Sequence, residues 1–284
     1  MQVVEKVSEL LTYVANFKQK GQKIGLVPTM GALHEGHLSL VKRCRQDNDI
    51  TIVSLFVNPI QFNNPQDLAT YPRQEEEDFK LLAKEKVDIV FAPQVEEIYP
   101  DGFQNNKVFD LGQVAEVMEG KYRPGHFQGV AVIVSRLFQL CRPDYAYFGM
   151  KDFQQIAVIR QMVKKEGLDV NIVACPIIRE ESGLALSSRN QLLDPELRKN
   201  ASAIHKILTL SLENINSKTV RETVTWVTEQ LNANKDFKVE YFEIVDGETL
   251  LPVEDWNEAK YIVGCITVYV GKVRLIDNIV YKDN

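Results

Sequence analysis

Long apolar runs are missing from this chain of 284 residues. The longest, such as Val130 to Val134, fall far short of the roughly 20 residues that a membrane-spanning helix needs. The amino-terminal stretch MQVVEKVSELL carries glutamates and no apolar core of the kind a signal peptide has. A cytoplasmic protein without membrane contact is therefore expected. An excess of positive charge is missing too, since 33 Lys and Arg face 39 Asp and Glu for a formal net charge of -6. Nonspecific nucleic-acid binding needs a basic surface, so no nucleic-acid partner is expected, although a local basic pocket for phosphates is still allowed. Cysteine is scarce. Cys44, Cys141, Cys175 and Cys265 form no C-x-x-C pair, which argues against a zinc site of that spacing and against a disulfide framework. Reduced, buried thiols are expected. Neither G-x-x-x-x-G-K-[ST] nor a G-x-G-x-x-G after the first strand occurs, which removes a P-loop and weakens a dinucleotide site.

What is present has the make-up of a globular protein, 45% hydrophobic and 25% charged, and it is long enough for two ordinary domains. Lys23 to Pro28, Ile50 to Val57, Asp88 to Phe91, Tyr145 to Phe148 and Val170 to Cys175 read as strands. His37 to Gln46, Glu75 to Lys86, Phe127 to Leu140 and Asp152 to Glu166 read as amphipathic helices between them. Apolar strands alternating with such helices predict a parallel sheet covered on both faces, a Rossmann-like doubly wound α/β domain. After Cys175 the pattern changes. A polar loop runs from Pro176 to Asn190. Pro195 to Leu212 reads as one long helix with Asp194 as its N-cap, and Val220 to Leu231 as another. Strand-like segments at Lys238 to Val245, Tyr261 to Val270 and Val273 to Tyr281 follow, with Gly271-Lys272 as a hairpin turn. A smaller α+β domain is predicted there, giving domains 1–176 and 177–284.

The segment Pro28 to His37 (PTMGALHEGH) leaves the first strand and enters the first helix. Ligands of open α/β sheets bind at the carboxyl ends of strands, beside helix N-termini. Gly31 and Gly36 would let backbone approach a ligand. His34 and His37 are spaced to sit side by side on one turn. Two imidazoles at a positive helix end suit phosphates and the charge that builds on them during transfer. H-E-G-H lacks the H-E-x-x-H spacing of a zinc site, and no metal ligand is assigned. Other blocks reach the same rim: Asn58 to Phe62 (NPIQF), Gly149 to Gln155 (GMKDFQQ), and Leu186 to Arg189 (LSSR). Tyr122 to Phe127 (YRPGHF), which contains His126, precedes a helix. Lys151 and Arg189 supply cations for a triphosphate, and Ser187 and Ser188 supply hydroxyls. Gln61 and Gln155 offer donors and acceptors for a substrate with hydroxyls and a carboxylate. Singly, each reads as a solvated loop residue; their joint placement carries the functional reading.

The blocks PTMGALHEGH, NPIQF, YRPGHF, FGMKDFQQ and LSSRN, in this order, resemble the pantoate–β-alanine ligase family. The resemblance runs through motifs from Pro28 to Asn190. It implies ATP-dependent condensation of pantoate with β-alanine, with Mg2+, through a pantoyl adenylate that releases pyrophosphate and then AMP. Carried over by motif, Met30, Gly31, Ala32, Leu33, His34, Glu35, Gly36 and His37 would line the ATP site. Gly149, Met150, Lys151, Asp152, Ile178, Leu186, Ser187, Ser188 and Arg189 would complete it. His37 would be the proton donor, with His34, Lys151, Ser187, Ser188 and Arg189 in the catalytic set. Gln61 and Gln155 would bind pantoate. Met150 stands where many relatives carry a polar residue. A homodimer through the first domain is implied, and the loop Ser182 to Asn190 is the expected lid over the intermediate. A transferase of the same fold acting on another acid, and a silent nucleotide-binding module, stay open as alternatives.

Overall fold

The computed structural model describes residues 1–104 and 106–283. Its first lobe holds β1 (Gln2–Val4), β2 (Ile24–Thr29), β3 (Ile50–Leu55), β4 (Ile89–Phe91), β5 (Tyr145–Gly149) and β6 (Asn171–Cys175). The main helices between them are α1 (Val7–Gln19), α2 (Glu35–Asp47), α3 (Glu75–Lys84), α4 (His126–Cys141) and α5 (Phe153–Glu166). The strands form one parallel sheet in the order β1-β4-β3-β2-β5-β6. Alternation along each strand explains why both faces are covered. Ile24, Leu26, Ile50, Ile52, Ile89 and Phe91 face α1, α4 and α5 in one core. Val27, Val53 and Val90 face α2 and α3 in another. This is the doubly wound arrangement the sequence predicts. The chain winds outward from β2 through β3 in one direction and from β5 in the other. The crevice at that switch point, beyond the carboxyl ends of β2 and β5, is where such sheets bind ligands. β1 and α1 were not foreseen; a three-residue edge strand is too short to show a period.

The second lobe contains α6 (Pro195–Ala201), α7 (Ala203–Ser211), α8 (Val220–Asn232) and an antiparallel sheet in the order β7 (Phe237–Asp246), β8 (Tyr261–Val270), β9 (Val273–Asp283). Asp194 caps α6 through Leu197 N, with Pro195 in the first turn, as predicted. The single helix expected over Pro195 to Leu212 is instead broken at Ser202. The Ser202 hydroxyl donates back to Lys199 O at 2.7 Å, a local bond that competes with the helical ladder. The predicted Gly271-Lys272 turn is present, with Gly271 at φ 57. A separate core begins at Leu184 and includes Ile204, Leu208, Val227, Phe242 and Ile266. All four cysteines are buried and free. Among the described residues no helix is long and apolar enough to cross a membrane.

The lobes are joined through buried polar bonds. Glu119, 8% exposed, receives both Nη groups of Arg274 at 2.8 and 2.7 Å and the hydroxyls of Tyr241 and Thr267 at 2.9 Å each. Burial pushes the Glu119 carboxyl up, but the Arg274 fork, Arg123 and the Tyr241 hydroxyl outweigh it and bring the pKa down to about 2. On β9, Asp277 takes the Arg179 fork at 2.7 and 3.0 Å, and the Asn278 amide donates to Met150 O and Lys151 O at 2.8 and 3.2 Å. Glu119→Ala would leave the Tyr241 and Thr267 hydroxyls without their acceptor, while Arg274 keeps Glu240 at 3.0 Å. Each buried group left unpaired costs about 1–3 kcal/mol, and thermal melting should register a loss of that order or more. A loss below about 1 kcal/mol, the range of exposed pairs, would show that this junction is solvated.

Candidate functional site

Between β2 and α2 the backbone takes two successive left-handed residues, Gly31 at φ 80 and Ala32 at φ 50. The second is costly for any residue with a Cβ. Asp78 on α3, 2% exposed, stabilises the turn by accepting Ala32 N at 2.8 Å and Leu33 N at 2.7 Å. Burial raises the Asp78 pKa, and these two bonds offset part of the rise. At Gly31 a Cβ would sit 3.0 Å from Asp78 Oδ2. The glycine makes room for a carboxylate of the protein itself.

His34 caps α2, its Nδ1 accepting Gly36 N at 3.1 Å. An accepting nitrogen carries no proton, so the proton of a neutral His34 sits on Nε2. The His34 and His37 rings lie 4.1 Å apart, as the spacing predicted. Burial, then Lys151, lowers His34 to about 4. Burial, then His34 and Lys151, holds His37 well below the ordinary 6.5. Both imidazoles are therefore neutral at pH 7 and meet an anion as N–H donors. His37 Nδ1 is buried without a partner.

Lys151 follows β5, its Nζ 3.2 Å from Asp152 Oδ2. Arg189 pairs with Asp67 at 3.0 Å, on the short helix Pro65–Thr70, and lies 5.7 Å from the Tyr71 ring centre. Ser188 Oγ donates to Ala32 O at 3.3 Å, so the segment expected as a lid rests against the first lobe.

Gln61 ends the helical turn Pro59–Gln61 after β3 and is 8% exposed. Gly129 of α4 lets the helix abut it, since a Cβ there would meet Ile60 O at 2.5 Å. His126 supports the same turn: Nδ1 lies 2.8 Å from Gln61 O and Nε2 lies 3.2 Å from Arg123 Nη1. Arginine can only donate, so Nε2 accepts and Nδ1–H donates to the carbonyl. Gln154, next to Gln155, is structural; its amide binds Val114 O, Val117 O and Glu119 N.

One cleft at the switch point gathers Met30, His34, Gly36, His37, Gln61, Gly149, Lys151, Asp152, Gln155, Ile178, Leu186, Ser187, Ser188 and Arg189. Its empty space, open solvent included, is about 1210 Å³. Gly31, Ala32, Leu33, Glu35 and Met150 do not line it. Ala32 and Leu33 are buried, and Glu35 faces Lys42 at 3.6 Å. Met150 packs on the first core and gives its carbonyl to Asn278. Asp78, Asp67 and Tyr71 were missed: Asp78 ends the acidic run Glu75 to Asp78, and nothing in the sequence sets it apart from its solvated neighbours. Among the described residues no group of three or more His, Cys, Asp or Glu side chains forms a metal site.

Residues 2–280 match the family described as Pantoate-beta-alanine ligase. The pantothenate synthetase of Porphyromonas gingivalis is 56% identical over 283 residues, covering 100% of both chains. The crystal structure of pantothenate synthetase from Thermus thermophilus superposes with a TM-score of 0.92 at 43% identity, over 99% of this chain and 100% of that one. A pantoate-β-alanine ligase from Francisella tularensis, complexed with β-γ ATP and β-alanine, gives a TM-score of 0.82 at 38% identity, over 99% and 98%.

The buried histidines make stability depend on acid. His126, 7% exposed, is lowered to about 4 by burial first and Arg123 second. The unfolded chain, at the ordinary 6.5, binds the proton more tightly. Its contribution is thus full above pH 6.5 and is lost as the pH falls toward 4. The size is on the order of 3 kcal/mol. Melting temperature should fall between pH 6.5 and 4.5 on that scale, with a shallower slope in His126→Asn. An unchanged slope in the variant would remove His126 from the acid response.

Proposed function

The chain belongs to the pantoate–β-alanine ligase family, and from that premise we propose how its cleft joins pantoate to β-alanine with ATP. The observation that carries the reading is the convergence of His34, His37, Lys151, Ser187, Ser188 and Arg189 with Gln61 and Gln155 in one cleft. A carboxylate is a poor acyl donor at neutral pH. Its oxygen attacks the α-phosphorus of ATP, the bond to the bridging oxygen breaks, and pyrophosphate leaves. The β-alanine amine then attacks the acyl carbon of pantoyl adenylate, forming the amide and releasing AMP.

Gly149, Ile178 and Leu186 would hold the adenosine. Lys151, Arg189, Ser187, Ser188 and the N–H groups of His34 and His37 would hold the phosphates and stabilise the leaving pyrophosphate. A bound polyanion favours the charged imidazolium, which would make His37 the proton donor. Gln61 and Gln155 would pair the pantoate hydroxyls and carboxylate. Mg2+ takes one or two carboxylates plus phosphate oxygens; Asp152 would supply such an oxygen, and the ion would neutralise phosphate charge. Domains 1–176 and 177–284, a cytoplasmic location and a homodimer through the first domain belong to the same reading. Phe103 and Val108, 45% and 82% exposed, offer that domain uncovered apolar surface.

Pantoate alone should support exchange of labelled pyrophosphate into ATP, because the adenylate forms before β-alanine reacts. Exchange seen only with another acid would give that acid the cleft, and no exchange with any acid would favour a silent nucleotide-binding module. His37→Ala should lose about 10²–10³-fold in single-turnover adenylation, the usual effect of removing one donor from a developing charge. A variant within about threefold of wild type would leave His37 a merely structural role.

A further inference from the structure

The backbone of Gln61 is clamped by His126, so what remains to be fixed is the direction of its side-chain amide. That direction follows from an obligatory chain of donors and acceptors. Gly129 O can only accept, and it lies 3.0 Å from the Asn58 amide, so the Asn58 atom facing it is Nδ2. The other N–H of the same nitrogen reaches Gln61 at 3.1 Å, so the Gln61 atom there is Oε1. Gln61 Nε2 is then left toward the cleft, 3.0 Å from Met30 Sδ. Asn58 Oδ1 completes the chain by accepting the Tyr99 hydroxyl at 2.6 Å. Asn58 and Tyr99 are 1% and 6% exposed, so water does not substitute for any of these partners.

Tyr99 is not part of the cleft wall. It follows the helical turn Val95–Ile98, and its ring packs against Phe56 and Phe103. Its hydroxyl is nonetheless the only polar group from outside the cleft that reaches Asn58 Oδ1 among the described bonds.

We propose that Tyr99 is a positioning residue for the acid substrate: through Asn58 it holds the Gln61 amide with its N–H groups toward the cleft. Gln61 then selects an oxygen that accepts, from the carboxylate or from a hydroxyl lone pair, and rejects a donor at that point. This rests on the reading above that Gln61 contacts the acid.

Removing the Tyr99 hydroxyl leaves Asn58 Oδ1 buried and unpaired, so the order of the Asn58 and Gln61 amides rests on Gly129 O without its second anchor. Steady-state rates with pantoate and ATP varied separately test this on the whole enzyme with Tyr99→Phe, Gln61→Leu and the double variant. Tyr99→Phe should raise KM for pantoate about 5- to 30-fold, the effect of one unsatisfied buried acceptor, with KM for ATP within about twofold. In the Gln61→Leu background it should add almost nothing, since neighbours acting through one group are not additive. Unchanged pantoate KM in Tyr99→Phe, equal losses for both substrates, or additive losses in the double variant would overturn the role of Tyr99. Unchanged pantoate KM in Gln61→Leu would overturn the placement of the acid itself.

Discussion

The carboxylate of Asp78 accepts the backbone N–H groups of Ala32 and Leu33, and the geometry of the site hangs from these two bonds. A left-handed alanine costs about 1–2 kcal/mol. A hydrogen bond to a charged group contributes about 1.5–3 kcal/mol, so two of them exceed the strain even after part is lost to burying the carboxylate. Either bond alone would leave the balance near zero. With the turn held, α2 starts in one direction only, His34 is placed as its cap, and His37 follows one turn later. Ala32 also gives its carbonyl to Ser188. One residue therefore ties the histidine turn to α3 on one side and to the LSSR segment on the other.

A second constraint comes from β9. Asp277 and Asn278 are neighbours on one strand, yet Asp277 holds Arg179 at the base of the LSSR segment and Asn278 holds the carbonyls of Met150 and Lys151. The antiparallel sheet is thus more than a cover. It sets the spacing between the turn that carries Lys151 and the segment that carries Arg189. Glu119, bonded to β7, β8 and β9 through Tyr241, Thr267 and Arg274, keeps that sheet in place. The packing of the second lobe and the position of the cations in the cleft are consequently one problem.

The parallel sheet and its rim were legible because they follow from local patterns. Apolar runs such as Ile50 to Val57 have one good explanation, and the blocks after β2, β3, β5 and β6 inherit their position from the strands they follow. The break at Ser202 was not legible, since a serine inside a helical period is usually tolerated: Ser39 makes the same kind of bond, to Gly36 O, inside the unbroken α2. Asp78, Asn278 and Glu119 were invisible for another reason. Each acts on residues far away in sequence, and a carboxylate in an acidic run or an amide in a strand carries no mark of its partner. His126 shows the intermediate case: its motif was noticed, but only the distances to Gln61 O and Arg123 show that it supports the Gln61 turn from beneath.

The charge state of the cleft follows from the same packing. Both cations that line it are already paired, Lys151 with Asp152 and Arg189 with Asp67, and the buried imidazoles are neutral. An unpaired ammonium or guanidinium in a partly desolvated cleft would be costly, and like-charged neighbours would add to that cost. Pairing each with a nearby carboxylate removes the penalty. A triphosphate held as proposed would exchange partners rather than fill a void of positive potential. On the proposed reading, the exchange would favour a ligand with several anionic oxygens at fixed spacing, because such a ligand would satisfy Lys151, Arg189 and the histidine N–H groups together. A single small anion would displace one carboxylate and gain little. Selectivity for a polyphosphate in a protein of net charge -6 would then be built from pairs that are neutral one by one.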